Sequence, residues 1–468
     1  GIYLEDEANI ESHEYYYGKE SLSHPPEWKN AHVGRVMEMV HQNKNHASIV
    51  IWSPGNEAGP GKNFEHAYNA IKKLDTSRPV QYERNNNIVD MGSNQYPSIG
   101  WVKGAVKGKF GIKYPFHISE YAHSMGNACG NLVDYWDAIE STNFFCGGAI
   151  WDWVDQSVYA YDAKTGEKYL AYGGDFEPKG TRNANNYLAN GLIGADRVPH
   201  PVLFEVKKLY QNVAVKMVSA SQFKISNRNF FRDLSYLDTH WQLLENGLVV
   251  KQGSLKQLST PAQQSELITI SELNDYTRLK NAEYTLNIQF KLKQEEGVRN
   301  KGLVVASEQF ILQSSLSLAH LKADDSLRVA ESDLQVTVST AKTKLIFNKE
   351  TGRLSSYRSN EVELIKQGVF PNFWRAMTDK DNGNRLWEKS AAAYKNASQL
   401  AEVTHVDVVS SAGKAKVTFT LHFPSLNSDA QISYTVGEFG QVDIDYQATL
   451  DKGLPEMPRF GLQLQMPD

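Results

Sequence analysis

The sequence has few cysteines, no long hydrophobic run and no strong excess of charge of either sign. Only two cysteines, Cys129 and Cys146, occur in 468 residues, which excludes a disulfide framework and a cysteine-rich metal site and predicts two free thiols. No apolar run approaches the roughly 20 residues that span a bilayer. The formal net charge is -5 without a lysine and arginine stripe, so we expect neither a membrane nor a nucleic acid as partner.

Two further features are missing. The chain has no Gly-x-Gly-x-x-Gly fingerprint of a dinucleotide-binding fold. No signal peptide is visible, although the first residues already have the pattern of the middle of a domain. A cytoplasmic location is favoured over a periplasmic one. What is present is a globular composition, with 41% hydrophobic and 22% charged residues, in a chain long enough for two to four domains.

Residues 1–214 alternate short apolar strands with amphipathic helices. Helices are predicted after Pro25, around Phe64–Leu74 and around Leu132–Ile139. The predicted strands are Ile2–Leu4, Ile49–Trp52, Val80–Tyr82, Val89–Met91, Phe116–Ser119 and Gly148–Trp151. This alternation is typical of parallel βα units, and it favours a (β/α) barrel for residues 1–214.

The pattern changes to antiparallel strands after residue 215. Asn246-Gly247 lies between two apolar runs and predicts a hairpin, and residues 284–292 alternate apolar and polar side chains. We therefore predict a β-sandwich at residues 215–318. A third, β-rich domain is predicted at residues 330–468, with a hairpin that turns at Gly352.

Polar side chains follow three of the predicted barrel strands, where the active site of such a barrel lies. They are Glu11 and His13, Asn56 and Glu57, and Glu120 and His123. Two carboxylates that converge from different strands are what glycoside hydrolysis requires, one as proton donor and one as nucleophile or base. A single glutamate at a strand end is more often part of a surface ion pair. The interpretation as a glycoside hydrolase site therefore depends on two such carboxylates occurring together.

Further side chains near these strand ends have a chemical interpretation of their own. Glu11 and His13 alternate on an extended segment, and with Glu57 they could hold a divalent cation, for which oxygen ligands favour Mg²⁺ over Zn²⁺. An ordinary hydrogen-bonded histidine is an equal alternative for His13. Trp151 offers an aromatic face for stacking on a sugar, whereas we expect Trp153 to lie in the core.

At these residues the sequence resembles a known family. The segments "GIYLEDEANIESH", "KNHASIVIWSPGNEAG", "EYAHSMGN", "GGAIWDWVDQS" and "NGLIGADRVPHP" are similar to those of family 2 glycoside hydrolases, in particular the large β-galactosidases of the lacZ type. Downstream, the sequence resembles the family's second immunoglobulin-like domain and then the opening of its C-terminal super-sandwich. The resemblance therefore implies a multidomain fold: barrel strands 3–8, an immunoglobulin-like β-sandwich and a truncated super-sandwich.

The resemblance also implies site residues and ions. It assigns Glu57 as general acid/base and Glu120 as nucleophile of a retaining hydrolysis of β-galactosides. Substrate contacts are implied for Asn56, Tyr96, His123, Trp151 and Asn190. A Mg²⁺ ion would be held by Glu11, His13 and Glu57, and Na⁺ by Asn190 with the carbonyl of Tyr187, where the family usually has phenylalanine.

The same resemblance implies that two barrel strands and the family's N-terminal domains are missing, so we expect this segment alone to be inactive or poorly folded. The family often forms tetramers, which makes a homo-oligomer the expected assembly. Three alternatives stay open. They are another family 2 activity (β-glucuronidase or β-mannosidase), a metal-dependent barrel hydrolase acting on amides, and a sugar-binding or assembly module without catalysis.

Overall fold

The computed structural model describes residues 2–13, 21–126, 128–314, 327–389, 391–411 and 413–468. The chain divides into two compact units, Gly1–Arg278 with Tyr284–Gln313, and Leu279–Glu283 with Ser314–Asp468. The predicted end of the second domain at residue 318 lies outside the described residues. Within the described part of the chain, no helix has the length and apolarity required to cross a membrane.

The first part of unit 1 is built from parallel strands and helices. Its strands are β1 (Leu4–Glu7), β2 (Ile49–Ser53), β3 (Gly92–Gln95), β4 (Phe116–Tyr121), β5 (Phe145–Ile150), β6 (Val158–Tyr161) and β7 (Lys168–Ala171). Its helices are α1 (Lys29–Asn43), α2 (Lys62–Leu74), α3 (Ile99–Ala105), α4 (Leu132–Ile139) and α5 (Val202–Leu209). β1 pairs with β2, and β3 with β4 and β4 with β5, all in parallel, whereas β6 and β7 form an antiparallel hairpin.

Two of the predicted strands take a different form. The apolar run Val80–Tyr82 contributes a single parallel bridge between Val80 and Trp52. Val89 and Met91 are buried, but the hydrogen-bonded strand β3 begins after them at Gly92. In both cases the apolar residues mark burial rather than ladder pairing, because a turn that faces the core buries its side chains as well as a strand does.

The core of this part explains why β2 is rigid. Trp52, Phe64 and Tyr82 are fully buried, and Phe64 stacks on Tyr82 with ring centroids 4.1 Å apart. At the end of α2, Asp75 accepts hydrogen bonds from Trp52 Nε1 at 3.0 Å and Arg78 Nη1 at 2.5 Å. Helix and strand are therefore held together by packing and by the hydrogen bond from Trp52 to Asp75.

Residues 213–313 form antiparallel sheets. The strands are β8 (Val213–Met217), β9 (Gln222–Asn227), β10 (Leu237–Glu245), β11 (Leu248–Ser254), β12 (Ser265–Thr269), β13 (Tyr284–Leu292) and β14 (Val304–Gln313). They form one sheet in the order β12-β9-β8 and another in the order β11-β10-β13-β14. The predicted hairpin at Asn246-Gly247 is confirmed between β10 and β11, with φ of 48° and 83° at its two turn residues.

Unit 2 is also β-rich. Its strands are β15 (Arg328–Glu331), β16 (Gln335–Ser339), β17 (Thr343–Asn348), β18 (Arg353–Ser359), β19 (Val362–Glu363), β20 (Gln367–Asn372), β21 (Glu402–Ser411), β22 (Lys414–Phe423), β23 (Ser428–Gly437), β24 (Val442–Thr449) and β25 (Gly461–Gln465), and its short helix is α6 (Asp379–Gly383). The sheets are β15-β16-β17-β18-β19, β20-β25 and β21-β22-β23-β24. The predicted hairpin at Gly352 is confirmed between β17 and β18. Phe347, Phe419 and Tyr434 belong to one apolar core.

Candidate active site

The turn after β2 is held against the segment that carries Glu11. Gly55 has φ of 155°, and a Cβ atom at this position would lie 2.8 Å from the carbonyl oxygen of Ile10. The next amide, that of Asn56, donates to the same Ile10 oxygen at 2.9 Å, and Asn56 bridges Glu11 in parallel. Only glycine allows the backbone at position 55 to lie so close to Ile10. This contact fixes the positions of Asn56 and Glu57, which follow.

Glu57 follows this turn with a left-handed backbone, at φ of 40°. One carboxylate oxygen lies 2.8 Å from His13 Nε2, and the other accepts a hydrogen bond from Arg84 Nη2 at 2.6 Å. The backbone N–H of Glu57 donates to Glu83 Oε1 at 3.0 Å. The carboxylate is therefore held by one partner on each oxygen, in a side chain that is only 15% exposed.

Glu120 lies on β4, directly beside Gln95 of β3 in the parallel register. Its backbone carbonyl accepts from the Tyr96 N–H at 2.8 Å. Burial raises the pKa of Glu120, hydrogen bonds from the side chains of Tyr96 and Gln95 lower it, and the charges of Glu57 and Glu11 raise it again. The net effect is a raised pKa, so this carboxyl group holds its proton to a higher pH than an exposed glutamate does.

The causes of the pKa shifts also indicate which ionisable side chains lie close to one another. Glu57 and Glu11 both act on Glu120, and the charges of all three raise the pKa of Tyr187, after burial as the largest cause. The pKa of Tyr96 is raised by burial and then by the neighbouring charge of Glu120. The strand-end carboxylates of β2 and β4 therefore face a common region.

Aromatic side chains surround this region. The His123 ring centroid lies 6.3 Å from that of Tyr96 and 5.0 Å from that of Tyr187. Tyr96 and Tyr187 are 42% and 53% exposed, so their rings remain accessible to a ligand. Together they offer apolar faces and hydroxyl groups beside the carboxylates.

Trp151 and Asn190 are joined to the site through the backbone. The carbonyl of Trp151 accepts from the Ser124 N–H at 2.7 Å, and the carbonyl of Asn190 accepts from the Asp152 N–H at 2.9 Å. The expectation that Trp153 lies in the core is wrong, because its side chain is 59% exposed. Trp153 follows the end of β5. Its carbonyl accepts a backbone hydrogen bond from Ile193 at 3.1 Å, while its side chain faces solvent.

Some side chains at this site are of the kinds that bind metal ions. Within the described ranges, no group of three or more histidine, cysteine, aspartate or glutamate side chains is gathered closely enough to hold a metal. His13 and Glu57 are in direct contact, and Glu11 is placed beside them by its bridge to Asn56. Asn190 Oδ1 is buried without a hydrogen-bond partner, which is an oxygen of the kind that a hard cation takes as ligand.

Three polar residues of the site, Glu83, Arg84 and Gln95, were not predicted from the sequence. Arg84 Nη2 donates to Glu57 at 2.6 Å and to Gln95 Oε1 at 2.7 Å. Gln95 Nε2 in turn donates to Asn56 Oδ1 at 2.9 Å. The sequence contains a signal for Glu83 and Arg84. Both directly follow the predicted strand Val80–Tyr82, and polar residues just after a barrel strand are candidates for the active site.

Comparison with known proteins agrees with this arrangement. Residues 1–215 match the family described as "Glycosyl hydrolases family 2, TIM barrel domain". Residues 223–313 match "Beta-galactosidase, domain 4", and residues 339–468 match "Beta galactosidase small chain". The predicted order of a TIM-barrel domain followed by β-sandwich domains is confirmed.

Curated relatives cover the whole chain. A β-galactosidase of Priestia megaterium is 34% identical over 100% of this chain and 46% of its own length. One of Pseudoalteromonas haloplanktis is 32% identical over 99% of this chain and 47% of its own length. The chain thus spans about half the length of these relatives. Together with the family matches, they confirm the resemblance of this chain to family 2 glycoside hydrolases that was found in the sequence.

Among solved structures, the apo form of Bacteroides uniformis β-glucuronidase 3 covers 91% of this chain and 53% of its own length, at 11% identity. The TM-score of 0.30 is too low for this likeness to carry an argument.

Proposed function

We propose that the protein to which this chain belongs is a β-galactosidase, which hydrolyses terminal β-D-galactose residues of β-galactosides with retention of configuration. The observation that supports this most directly is that Glu57 follows the end of β2, Glu120 lies at the end of β4, and the charge of Glu57 contributes to the raised pKa of Glu120, after its burial. A pair of carboxyl groups facing one space is the minimal equipment for glycoside hydrolysis.

In the proposed mechanism, the roles of the two carboxyl groups differ. Glu57 donates a proton to the glycosidic oxygen while the Glu120 carboxylate attacks the anomeric carbon, so the glycosidic bond breaks and a glycosyl-enzyme bond forms. Glu57 then takes a proton from water, whose oxygen attacks the anomeric carbon and releases Glu120. Two inversions give net retention, and this route calls for carboxyl groups about 5–5.5 Å apart.

The galactose ring is proposed to lie among the aromatic and amide groups around the carboxylates. Asn56 would hydrogen-bond the hydroxyl at position 2, and Tyr96 would contact both Glu120 and the ring. His123, Trp151 and Asn190 would line the remaining part of the sugar subsite. The exposed rings at this site support such a role, since aromatic faces stack on the C–H faces of sugars.

Two cations are part of the proposal. His13 and Glu57 are in contact, but with Glu11 they do not form a ready-made metal site; these three side chains would hold Mg²⁺ after closing around the ion, which would supply positive charge beside Glu57. Asn190 and the carbonyl of Tyr187 would hold Na⁺, and the buried, unpaired Asn190 Oδ1 supports this assignment. Titration of the chain with Mg²⁺, followed by calorimetry on Glu11→Gln and His13→Ala variants, would test the first of these sites.

The finer architecture is proposed in the same way. Residues 1–214 would supply strands 3–8 of the (β/α)8 barrel, residues 215–318 an immunoglobulin-like sandwich, and residues 330–468 the first part of the C-terminal super-sandwich. A soluble, cytoplasmic homo-oligomer is the proposed assembly.

Trapping with an activated 2-fluorogalactoside, followed by peptide mass spectrometry, tests the function. It is run on this chain and on a chimaera that adds the N-terminal half of the Priestia megaterium relative. We expect the covalent adduct on Glu120 and none in Glu120→Gln. Glu140→Gln is the matched control, because the Glu140 side chain is 37% exposed and its ion pair, with Arg228 at 3.1 Å, lies outside the site. An adduct on a different residue, or none in either protein, would overturn the proposal.

A further inference from the structure

Gln95 uses its single side-chain amide to connect both proposed catalytic carboxylates. Its oxygen accepts from Arg84 Nη2 at 2.7 Å, and its nitrogen donates to Asn56 Oδ1 at 2.9 Å. Gln95 also lies beside Glu120 in the parallel register of β3 and β4, and its side chain lowers the pKa of Glu120. A primary amide has two N–H donors and one carbonyl acceptor, so Arg84 and Asn56 engage the acceptor and one of the two donors. Gln95 is 8% exposed, and water therefore has little access to replace them.

Arg84 extends this connection to Glu57. The same Nη2 atom that donates to Gln95 also donates to Glu57 Oε1 at 2.6 Å. The side chains of Arg84 and Glu57 are 26% and 15% exposed. Charge-assisted hydrogen bonds of this kind are about twice as strong as neutral ones, and a planar guanidinium group fixes direction as well as distance.

Glu57 needs such an external support. Its backbone is left-handed, and it follows a turn rather than lying within a strand. The turn fixes the Cα atom, but the rotatable bonds of the side chain leave the carboxyl group free to rotate. A general acid must lie within hydrogen-bond reach of the leaving oxygen, so its orientation has to be set by neighbouring groups.

We propose that Arg84 and Gln95 are positioning residues, which orient the acid/base Glu57 and couple its placement to that of Asn56 and the nucleophile Glu120. The inference rests on the proposed function and deepens it. Arg84 donates directly to Glu57, whereas Gln95 donates to the side-chain oxygen of Asn56 and lies beside Glu120 in the sheet. The two residues should therefore have different kinetic signatures.

The test compares galactosides with poor and good leaving groups. Proton donation matters for methyl galactoside and lactose, but 2,4-dinitrophenolate departs without it. We expect Arg84→Gln to lower kcat/KM, which reports formation of the glycosyl-enzyme, by about 10²-fold for the poor leaving groups, within the usual contribution of general acid catalysis, and to leave kcat/KM for the dinitrophenyl galactoside within about 3-fold. Arg84→Lys should recover part of the loss, because it keeps the charge without the planar fork.

Gln95→Leu should slow both classes of substrate, because Gln95 also supports Asn56 and Glu120. Arg35→Gln, on the exposed face of α1, is the control for removing an arginine elsewhere. Thermal unfolding of each variant checks the fold, and Arg84→Lys serves as the second variant where Arg84→Gln does not fold.

The series is measured in whichever protein of the trapping experiment labels Glu120. An equal loss for all leaving groups in Arg84→Gln, or no loss at all, would overturn the inference while leaving the nucleophile in place. Absence of any Glu120 adduct in the wild-type sequence would instead refute the proposed function itself.

Discussion

The α/β part of unit 1 and the β-rich unit 2 both have apolar cores, but they differ in the polar side chains that they bury. In unit 2, the large buried side chains of the core are apolar or aromatic, such as Phe347, Phe419 and Tyr434. The α/β part instead buries several polar side chains near its strand ends. These are Gln81, Glu83, Ser93, Gln95, His117 and Asn190.

The two regions also differ in how completely their buried polar atoms are paired. Among the described residues, unit 2 leaves Glu438 Oε2 and the Tyr446 hydroxyl buried without a hydrogen-bond partner, whereas the α/β part leaves a larger set that includes Gln81 Oε1, Glu83 Oε2, His117 Nδ1 and Asn190 Oδ1. Each such atom costs about 1–3 kcal/mol of folding free energy. A region that keeps them gives up stability for the placement of polar groups, which is the pattern expected at a functional site.

The largest expected effect concerns the apolar interior. Phe419→Ala removes a fully buried ring from β22, and we expect a loss of about 3–5 kcal/mol in the free energy of unfolding, from lost burial and the cavity left behind. Val409→Ala, at a site that is 51% exposed on the neighbouring strand, should cost less than about 0.5 kcal/mol. Urea unfolding curves measure both; similar losses for the two would contradict an apolar core here.

The next effect tests a buried ion pair of the α/β part. Asp75 is desolvated, yet hydrogen bonds from Ser77, Trp52 and Arg78 hold its pKa well below the ordinary range. Asp75→Asn leaves Arg78 without its charged partner, and we expect a loss of about 3 kcal/mol. Asp137→Asn on the exposed face of α4 is the control. A free energy of unfolding within error of the wild type would show that the Asp75–Arg78 pair does not stabilise this part of the fold.

The third effect depends on pH. Burial raises the pKa of Glu83 to about 7, above the value of about 4.5 expected in the unfolded chain. The protonated form is favoured by folding, so its contribution to stability is complete below pH 4.5 and is lost as the pH rises through 7. The slope is at most about 1.4 kcal/mol per pH unit. Glu83→Gln should flatten this part of the stability profile; an unchanged profile would argue against a raised pKa.

The smallest effect is local and concerns the sandwich. Asn246 has a left-handed backbone in the hairpin between β10 and β11. Asn246→Ala should cost about 1 kcal/mol, since alanine pays a steric penalty at positive φ, whereas Asn246→Gly should remain close to the wild type. Both variants remove the asparagine side chain, so their difference in thermal unfolding isolates the backbone term. Equal effects would point to the side chain instead.

Much of the fold could be predicted from short-range patterns. The Asn246-Gly247 hairpin, the turn at Gly352 and the alternation of β13 all follow from local backbone preferences and period-two burial. Val80–Tyr82 and Val89–Met91 were predicted as strands, but the first forms a single bridge at Val80 and the second precedes β3, because apolarity reports burial and not ladder pairing. Trp153 was assigned to the core for the same reason and is exposed.

Three features could be predicted from the sequence, because they depend on neighbours within a few residues. They are the alternation of strands and helices, the change to antiparallel sheets, and the strand-end glutamates Glu57 and Glu120. Only the tertiary structure decided that Arg84 and Gln95 join them. Hydrogen bonds between side chains on different strands depend on register and on turn geometry to within a fraction of an ångström. No local pattern encodes those quantities, so they become visible only once the chain has folded.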